Sequence, residues 1–220
     1  MARKVSLGVL ISGNGSNLQA IIDAIEKGTL DAEVRIVISN KQDAVGLARA
    51  RRHGIPTHVV DHRAHASREA YDKVLIDLLQ ASQAELVILA GFMRLLSPLF
   101  VNAFSNRIMN IHPALLPAFP GLHVQRKALE HGVRFSGCTV HFVNAECDEG
   151  PIIIQAVVPV FPDDTVESLS ARILKQEHRI YPRAIQLYSE GRLHVEGRRV
   201  FVDGLKRDED RALIQPPAHE

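Results

Sequence analysis

Short apolar runs alternate with amphipathic helical patterns through the first half of the chain. The run Val5–Ile11 is almost wholly apolar, as are strands buried on both faces of a parallel sheet. Similar runs follow at 34–39, 55–60 and 85–90. Helices are predicted between them from Leu18 to Gly28, at 44–53 and from Ser67 onward. This alternation predicts an α/β fold with a Rossmann-like parallel sheet and right-handed crossovers.

The second half of the chain has a different pattern. Its elements are predicted as strands at 107–112, 136–143 and 152–160, a long helix at 165–189 and a hairpin at 193–202 that turns near Glu196. Pro182 is expected to bend the long helix. Because no repeat or flexible linker separates the halves, we expect the parallel sheet to continue into a mixed sheet within a single domain at 1–205. The charge-rich tail 206–220 is predicted to be disordered.

Charge and composition restrict the kinds of partner. The chain carries 26 basic and 25 acidic side chains, so no binding face for nucleic acid or anionic lipid is expected. Its two cysteines stand in no metal-binding spacing, which fits a reducing compartment. No apolar run reaches the length of a membrane span. We therefore expect a cytoplasmic protein that binds small molecules and no metal.

A glycine-rich turn follows the first predicted strand. Gly13 and Gly15 allow the backbone to approach a bound group, and Asn14, Ser16 and Asn17 bring polar side chains. The next helix begins here, and the unpaired N–H groups at a helix N-terminus bind anions. The turn is therefore a candidate phosphate site, although an ordinary turn that needs glycine explains it equally well.

This turn differs from two familiar phosphate loops. No Gly-Lys-Ser/Thr follows it, so it is not a Walker loop. Leu18 stands where a dinucleotide-binding loop has its third glycine, and the second strand ends near Asn40 rather than at an acid that would bind a ribose. A mononucleotide or a sugar phosphate fits better than a dinucleotide.

Asn110 and His112 lie two residues apart on a predicted strand, so their side chains share one face. Pro113 ends the strand and leaves both at its carboxyl end, where open α/β sheets bind ligands. Histidine changes charge near neutral pH and asparagine donates without ionising, so the pair is suited to stabilise an oxyanion. Asp148 follows in a turn, placed to orient the histidine or to accept a proton. A structural histidine before proline remains the alternative.

Two further stretches have both a structural and a functional interpretation. Glu177 falls on the apolar stripe of the long helix, where a carboxylate needs either an arginine partner or a substrate hydroxyl or amine. Met93, Arg94, Leu95 and Leu96 follow the fourth strand and belong either to the core or to a site for a flat heterocycle. The histidines near the third strand predict a solvated loop rather than a metal site, namely His58, His62 and His65.

Six segments occur in an order and spacing that resemble the folate-dependent formyltransferase family, over about 5–205. They are LISGNGSNLQAII, VISNK, LAGFMRLLSP, NIHPALLPAFPGLH, TVHFV and DEGPIIIQ. The first of these is similar to the glycinamide ribonucleotide branch of the family. The resemblance implies transfer of the formyl group of 10-formyltetrahydrofolate to the amine of glycinamide ribonucleotide in de novo purine biosynthesis, without a metal.

The resemblance also implies roles for individual residues. The half 1–100 would bind the phosphate, and the half 101–205 would hold the catalytic and folate sites of a monomer or homodimer. The residues implied to bind substrate are Gly13, Asn14, Gly15, Ser16, Asn17 and Glu177. Those implied to bind the folate are Arg68, Met93, Arg94, Leu95, Leu96, Asn110, Asn144 and Asp148. The implied catalytic group is Asn110, His112 and Asp148.

The chain departs from residues common in the family at Ala114, Gln125 and Glu149. The nearest rival functions are formyltetrahydrofolate hydrolase and formyl transfer to another amine, whose family members usually carry an extra domain for which this chain has no room. A binding protein of the same fold without catalysis is a rival from another class, since fold does not fix function. A dinucleotide dehydrogenase is the third.

Overall fold

The computed structural model describes residues 4–205, and a seven-stranded sheet forms its centre. The strands are β1 Val5–Ile11, β2 Ala32–Ser39, β3 Thr57–Val59, β4 Leu86–Leu89, β5 Ile108–His112, β6 Phe135–Phe142 and β7 Ile152–Pro159. They lie in the order β3-β2-β1-β4-β5-β6-β7. The tail 206–220, for which disorder was the prediction, lies outside the described residues.

The sheet is parallel from β3 to β5 and antiparallel from β5 to β7. The predicted parallel sheet that continues into a mixed sheet is therefore confirmed, and both halves of the chain contribute strands to it. Because β1, β4 and β5 run in the same direction, their carboxyl ends meet at one edge. Neighbouring strands are about 4.8 Å apart, so residues at the ends of β1 and β5 are about 10 Å apart.

Helices cover both faces of this sheet. They are α1 Ser16–Glu26, α2 Val45–Arg52, α3 Arg68–Ala81, α4 Pro98–Ala103, α5 Val124–Glu130 and α6 Val166–Ser189. One face is buried by residues such as Leu18 of α1 and Ile173 of α6, and the other by Leu75 of α3 and Phe100 of α4. Burial on both faces explains the nearly continuous apolar strands. Within residues 4–205 no helix is long and apolar enough to cross a membrane.

Some elements differ from the sequence prediction. The short helices α4 and α5 were not predicted, because six or seven residues show little helical periodicity. The strand predicted at 55–60 is shorter, since β3 covers only Thr57–Val59. The long helix runs through Pro182 as one element, and its bend stays a prediction. The last hairpin is confirmed, with β8 Leu193–Glu196 paired to β9 Arg199–Val202.

Tyr181 joins α6 to two central strands. Its hydroxyl lies 2.8 Å from the Met109 carbonyl oxygen and 3.2 Å from that of Leu89. Burial raises the pKa of this hydroxyl well above its ordinary value, so it stays protonated and able to donate. Met109 directly precedes Asn110, and the helix therefore supports the edge at which the predicted site residues lie.

Candidate active site

The glycine-rich turn lies at the carboxyl end of β1, directly before α1. Gly15 has a φ of 73°, in the left-handed region that glycine adopts without strain, and no side chain caps the helix that follows. The first N–H groups of α1 are therefore available to a ligand, and the helix dipole favours an anion there. Gly13 and Asn14 are exposed beside them. The local geometry fits the phosphate site that the sequence predicts.

Glu177 lies beside this turn. The carboxylate is 7% exposed, and its Oε2 accepts a hydrogen bond of 2.7 Å from Asn17 Nδ2. Burial raises the pKa of Glu177, and the bond from Asn17 opposes that increase. The partner is thus an asparagine of the predicted substrate loop and not an arginine of its own helix. The Asn17 Oδ1 is buried and has no hydrogen-bond partner among the described residues.

β5 carries Asn110 and His112 to the same edge of the sheet. His112 is 4% exposed, and its Nδ1 lies 3.5 Å from Asp148 Oδ2. Its Nε2 lies 2.9 Å from the carbonyl oxygen of Phe119. Both neighbours are hydrogen-bond acceptors. The structure brings the predicted histidine and aspartate together.

Asp148 is fixed by the turn that contains it. Its φ of 57° lies in the left-handed region, which aspartate adopts more readily than most residues. The Gly121 N–H donates to Oδ2 at 2.9 Å and holds the carboxylate, whose side chain is 13% exposed, towards His112. The other oxygen, Oδ1, lies 3.9 Å from Nε2 of His141.

His141 is a site residue that the reasoning from composition and spacing did not single out. It stands opposite Asn110 in the antiparallel pair of β5 and β6. Its Nδ1 lies 2.8 Å from the Phe142 carbonyl oxygen and its Nε2 lies 3.2 Å from Asn110 Nδ2. Because the carbonyl accepts, Nδ1 carries the proton and Nε2 accepts from the amide. Burial lowers the pKa of His141, which keeps the ring neutral and fixes the orientation of the Asn110 amide.

Side chains of β6 and β7 form hydrogen bonds to the segment that follows His112. The Thr139 hydroxyl donates to the Ala114 carbonyl at 2.7 Å and accepts from the Leu116 N–H at 3.1 Å. Gln155 Nε2 donates to the Leu116 carbonyl at 2.9 Å. Thr139 and Gln155 lie within strands, and the sequence pattern of a strand does not indicate which of its polar side chains form such bonds. These contacts could therefore not be predicted from the sequence.

The segment 93–96 lies beside the end of β1. The Met93 N–H donates to Ser12 Oγ at 2.8 Å, and the Ser12 hydroxyl donates to Asn40 Oδ1 at 2.6 Å. Met93 and Leu95 are 60% and 62% exposed despite their large apolar side chains. Leu96 packs against the core on the α3 side. The core interpretation therefore describes Leu96 but neither Met93 nor Leu95.

The remaining predicted folate residues lie around this edge. Arg68 is exposed at the start of α3. Burial raises the pKa of Tyr71 on the same turn, and the charge of Arg94 opposes that increase. Asn144 Oδ1 accepts from the Glu146 N–H at 3.2 Å, in the turn that leads to Asp148. Among the described residues, neither a hydrogen bond nor an ion pair links Arg68 to the Asn–His–Asp group.

The histidines near β3 take part in packing. His62 and His65 both contact the Tyr71 ring edge-on, with ring centroids 6.3 and 5.6 Å from it. Over residues 4–205, no group of three or more His, Cys, Asp or Glu side chains is arranged to hold a metal ion.

Sequence comparison finds a match over most of the chain. Residues 5–185 match the profile of the family described as formyl transferase. The chain is 51% identical over 200 residues to phosphoribosylglycinamide formyltransferase of Escherichia coli K12, and the match covers 91% of this chain and 94% of that protein. It is 52% identical over 191 residues to the trifunctional purine biosynthetic protein adenosine-3 of Drosophila melanogaster, a match to 86% of this chain and 14% of that protein.

Comparison with solved structures gives the same result. Glycinamide ribonucleotide transformylase 1 from Symbiobacterium toebii superposes with a TM-score of 0.90 at 57% identity, covering 92% of this chain and 95% of that one. The phosphoribosylglycinamide formyltransferase of Coxiella burnetii, in complex with CHES, superposes with a TM-score of 0.88 at 44% identity over the same shares of the two chains.

Proposed function

The chain belongs to the formyl transferase family, and from that premise we propose that it transfers the formyl group of 10-formyltetrahydrofolate to the amine of glycinamide ribonucleotide. Relatives that it matches over nearly their whole length, in Escherichia coli and Haemophilus influenzae, carry the name phosphoribosylglycinamide formyltransferase. The Drosophila relative is named for purine biosynthesis.

One observation carries the assignment to this chain's own residues: an amide, a histidine and a carboxylate meet at the end of β5. Asp148 lies 3.5 Å from His112, and His141 sets the Asn110 amide at 3.2 Å. Acyl transfer needs donors aimed at the oxygen that becomes negative and a group that accepts the proton of the attacking amine. In this proposal Asn110 and His112 are the donors and Asp148 is the proton acceptor, while His141 orients the Asn110 amide.

The position of the substrate loop supports the same proposal. The loop 13–17 lies at the end of β1, two strands from β5, which is a separation of about 10 Å. A phosphate held there and an amine held near His112 are the two ends of one small ribonucleotide. Glu177, bonded to Asn17 beside the loop, offers a carboxylate acceptor, which suits a hydroxyl group of a sugar. Binding at both ends would orient the amine for attack.

In the proposed reaction the amine nitrogen bonds to the formyl carbon, and the bond from that carbon to the folate nitrogen then breaks. The Asn110 amide and a protonated His112 stabilise the negative charge that develops on the formyl oxygen. Asp148 stabilises the charged His112 and accepts the amine proton through water, which returns it to the departing nitrogen. The folate supplies an activated formyl group, so these residues need only orient, stabilise and move a proton.

The exposed pair Met93 and Leu95 supports the proposed binding of a flat heterocycle. Large apolar side chains that are 60% and 62% exposed stand beside backbone groups at a strand end, where a ring can stack and form hydrogen bonds. Arg94, between these two residues in the chain, and Arg68 at the start of α3 are exposed cations that suit the carboxylates of a folate tail.

Purified protein mixed with 10-formyltetrahydrofolate, with and without glycinamide ribonucleotide, tests the proposal by the appearance of deformylated folate. Turnover that requires the ribonucleotide is the expected result. Deformylation without it would point to a hydrolase. No reaction in either mixture would leave a binding protein or another amine acceptor, and would contradict the proposal.

The catalytic assignment is tested by Asn110→Ala and His112→Ala. Loss of one oxyanion donor lowers turnover by about 100- to 1,000-fold, and we expect at least the lower figure for each variant. Asn102→Ala is the matched control, because Asn102 is exposed on α4 and away from the site. Near-normal turnover of either site variant would contradict the assigned roles.

A further inference from the structure

We propose that Arg49, on α2, is a positioning residue that holds the loop 13–17 in its phosphate-binding shape. The proposal deepens the proposed function and rests on it, since it assigns a new residue to the phosphate end of the substrate site. Neither the sequence motifs nor the predicted site residues include any part of α2.

The Arg49 guanidinium makes two hydrogen bonds to one residue of the loop. Its Nε donates to the Asn14 carbonyl oxygen at 2.9 Å and its Nη2 donates to Asn14 Oδ1 at 2.8 Å. The planar fork of arginine fits such a pair of acceptors, and lysine cannot reproduce it. Backbone and side chain of Asn14, an exposed residue between two glycines, are therefore fixed together.

Two further contacts come from the start of the same helix. The Gly46 N–H donates to the Gly13 carbonyl oxygen at 3.0 Å. A Cβ atom on Gly15 would lie 2.6 Å from the Gly46 Cα, so the two glycines touch backbone to backbone. Gly46 and Arg49 are three residues apart and share a helix face. One face of α2 thus contacts Gly13, Asn14 and Gly15 in turn and acts as a template for the loop.

The charge of Arg49 agrees with an anionic ligand at the loop. A groove of about 540 Å³ is lined at its loop end by Ser16 and Arg49 and extends along α1 past Asp23. Arg49 is always charged at physiological pH. It therefore adds positive potential next to the N–H groups at the start of α1 while it orders the loop. Without it, the loop must be ordered when the phosphate binds, which weakens binding.

The test compares Arg49→Met with Arg49→Lys and with the control Arg52→Met, an exposed arginine at the end of the same helix. Loss of a charge-assisted pair weakens binding by about 10- to 100-fold. We expect Arg49→Met to raise the KM for glycinamide ribonucleotide by about that factor, with kcat and the KM for the formyl donor nearly unchanged. Arg49→Lys should recover part of the loss, and Arg52→Met should behave as the parent protein.

Glycinamide ribonucleoside, which lacks the phosphate, makes the test specific. We expect Arg49→Met to lower kcat/KM for the ribonucleotide but not for the ribonucleoside. An equal loss on both, or no loss on either, would overturn the proposal. A lower melting temperature of Arg49→Met together with weaker binding of both the ribonucleotide and the formyl donor would also overturn the proposal, because that pattern indicates a general structural role.

Calorimetry with inorganic phosphate separates this inference from the proposed function. If the parent protein shows no turnover but binds phosphate, and Arg49→Met does not, the loop assignment stands and the assigned reaction fails. Equal phosphate binding by the parent and the variant, or binding by neither, overturns the role of Arg49.

Discussion

Replacing the buried carboxylate of Glu177 by a neutral amide should stabilise the protein while it weakens substrate binding. The carboxylate is 7% exposed and accepts one side-chain hydrogen bond, from Asn17. A carboxylate has about four acceptor positions that water fills in the unfolded chain. Glu177→Gln removes the charge and keeps a side chain that can bond to Asn17.

The size of the effect follows from the hydration that this carboxylate loses when it is buried. A buried polar group without its full set of partners costs about 1 to 3 kcal/mol, and removal of the charge should recover an amount in that range. For a chain of this length, each kcal/mol shifts the melting temperature by about 2 to 4 °C. The variant should therefore melt roughly 2 to 12 °C above the parent protein at neutral pH. The gain should come with a higher KM for glycinamide ribonucleotide.

The pH dependence of the stability independently tests the prediction that Glu177→Gln stabilises the protein. Burial raises the pKa of Glu177 above its ordinary value of 4.5, so between that value and the folded-state pKa the native protein holds a proton that the unfolded chain has released. Stability therefore falls as pH rises through this window. The difference between variant and parent should be near zero below pH 4.5 and complete above the folded-state pKa.

Thermal unfolding of both proteins across this pH range is the assay. Glu190→Gln is the control, because hydrogen bonds from Gln186 and Arg192 lower the pKa of that exposed carboxyl and its removal should cost up to about 1 kcal/mol at neutral pH. A Glu177→Gln melting temperature equal to or below that of the parent at neutral pH would refute the reasoning.

Three further changes have expected outcomes of their own. Gly150→Ala should destabilise the protein by about 1 to 3 kcal/mol in denaturant unfolding and lower turnover, since a Cβ there would lie 1.7 Å from the Phe142 carbonyl oxygen; a parent-like variant would contradict the close contact. Phe100→Ala, at a fully buried position on the α4 side, should cost about 3 to 5 kcal/mol in the same measurement while the kcat of the folded protein is unchanged; a cost below about 1 kcal/mol would show that the site repacks. Asp164→Asn should cost about 1 to 3 kcal/mol at neutral pH, because it breaks the pair of 2.7 Å bonds from Arg172. Those bonds hold the pKa of Asp164 below its ordinary value of 3.8, so the stability that they give is present above pH 3.8 and is lost as pH falls; a gap from the parent that widens in acid would be the contrary result.

The central sheet could be predicted from the sequence because strands that are buried on both faces have nearly continuous apolar sequences. Val5–Ile11 and the runs that follow it are short and apolar without alternation, which is typical of strands in a parallel sheet covered on both faces. The short helix Pro98–Ala103 leaves no such mark, since six residues complete fewer than two turns. The mixed sheet was predicted, but the pairing of β6 with β7 was not, because pairing depends on the fold rather than on residue type.

Site residues were predictable where their chemistry conflicts with their surroundings. Glu177 was recognised because a carboxylate is out of place on an apolar stripe, yet its partner Asn17 lies 160 residues away in the chain and only the fold reveals it. His141 gave no warning in an apolar strand, since a buried histidine with satisfied nitrogens is common. Arg49 could not be recognised either, because it is one of several arginines on a short helix.

At this site the proposed catalytic residues lie mainly on strands, whereas the residues proposed to bind the reactants lie mainly in connections. Asn110, His112 and His141 stand on paired strands, whose register fixes them whatever the adjoining loops contain. The stretches 13–17 and 93–96, which are proposed to bind the two reactants, consist of connections and the first residues of α1, and connections can change length and composition with little effect on the sheet. Exchange of these two loops therefore offers a route to new amine acceptors or formyl donors on an unaltered catalytic frame, provided that α2 is exchanged together with the first of them.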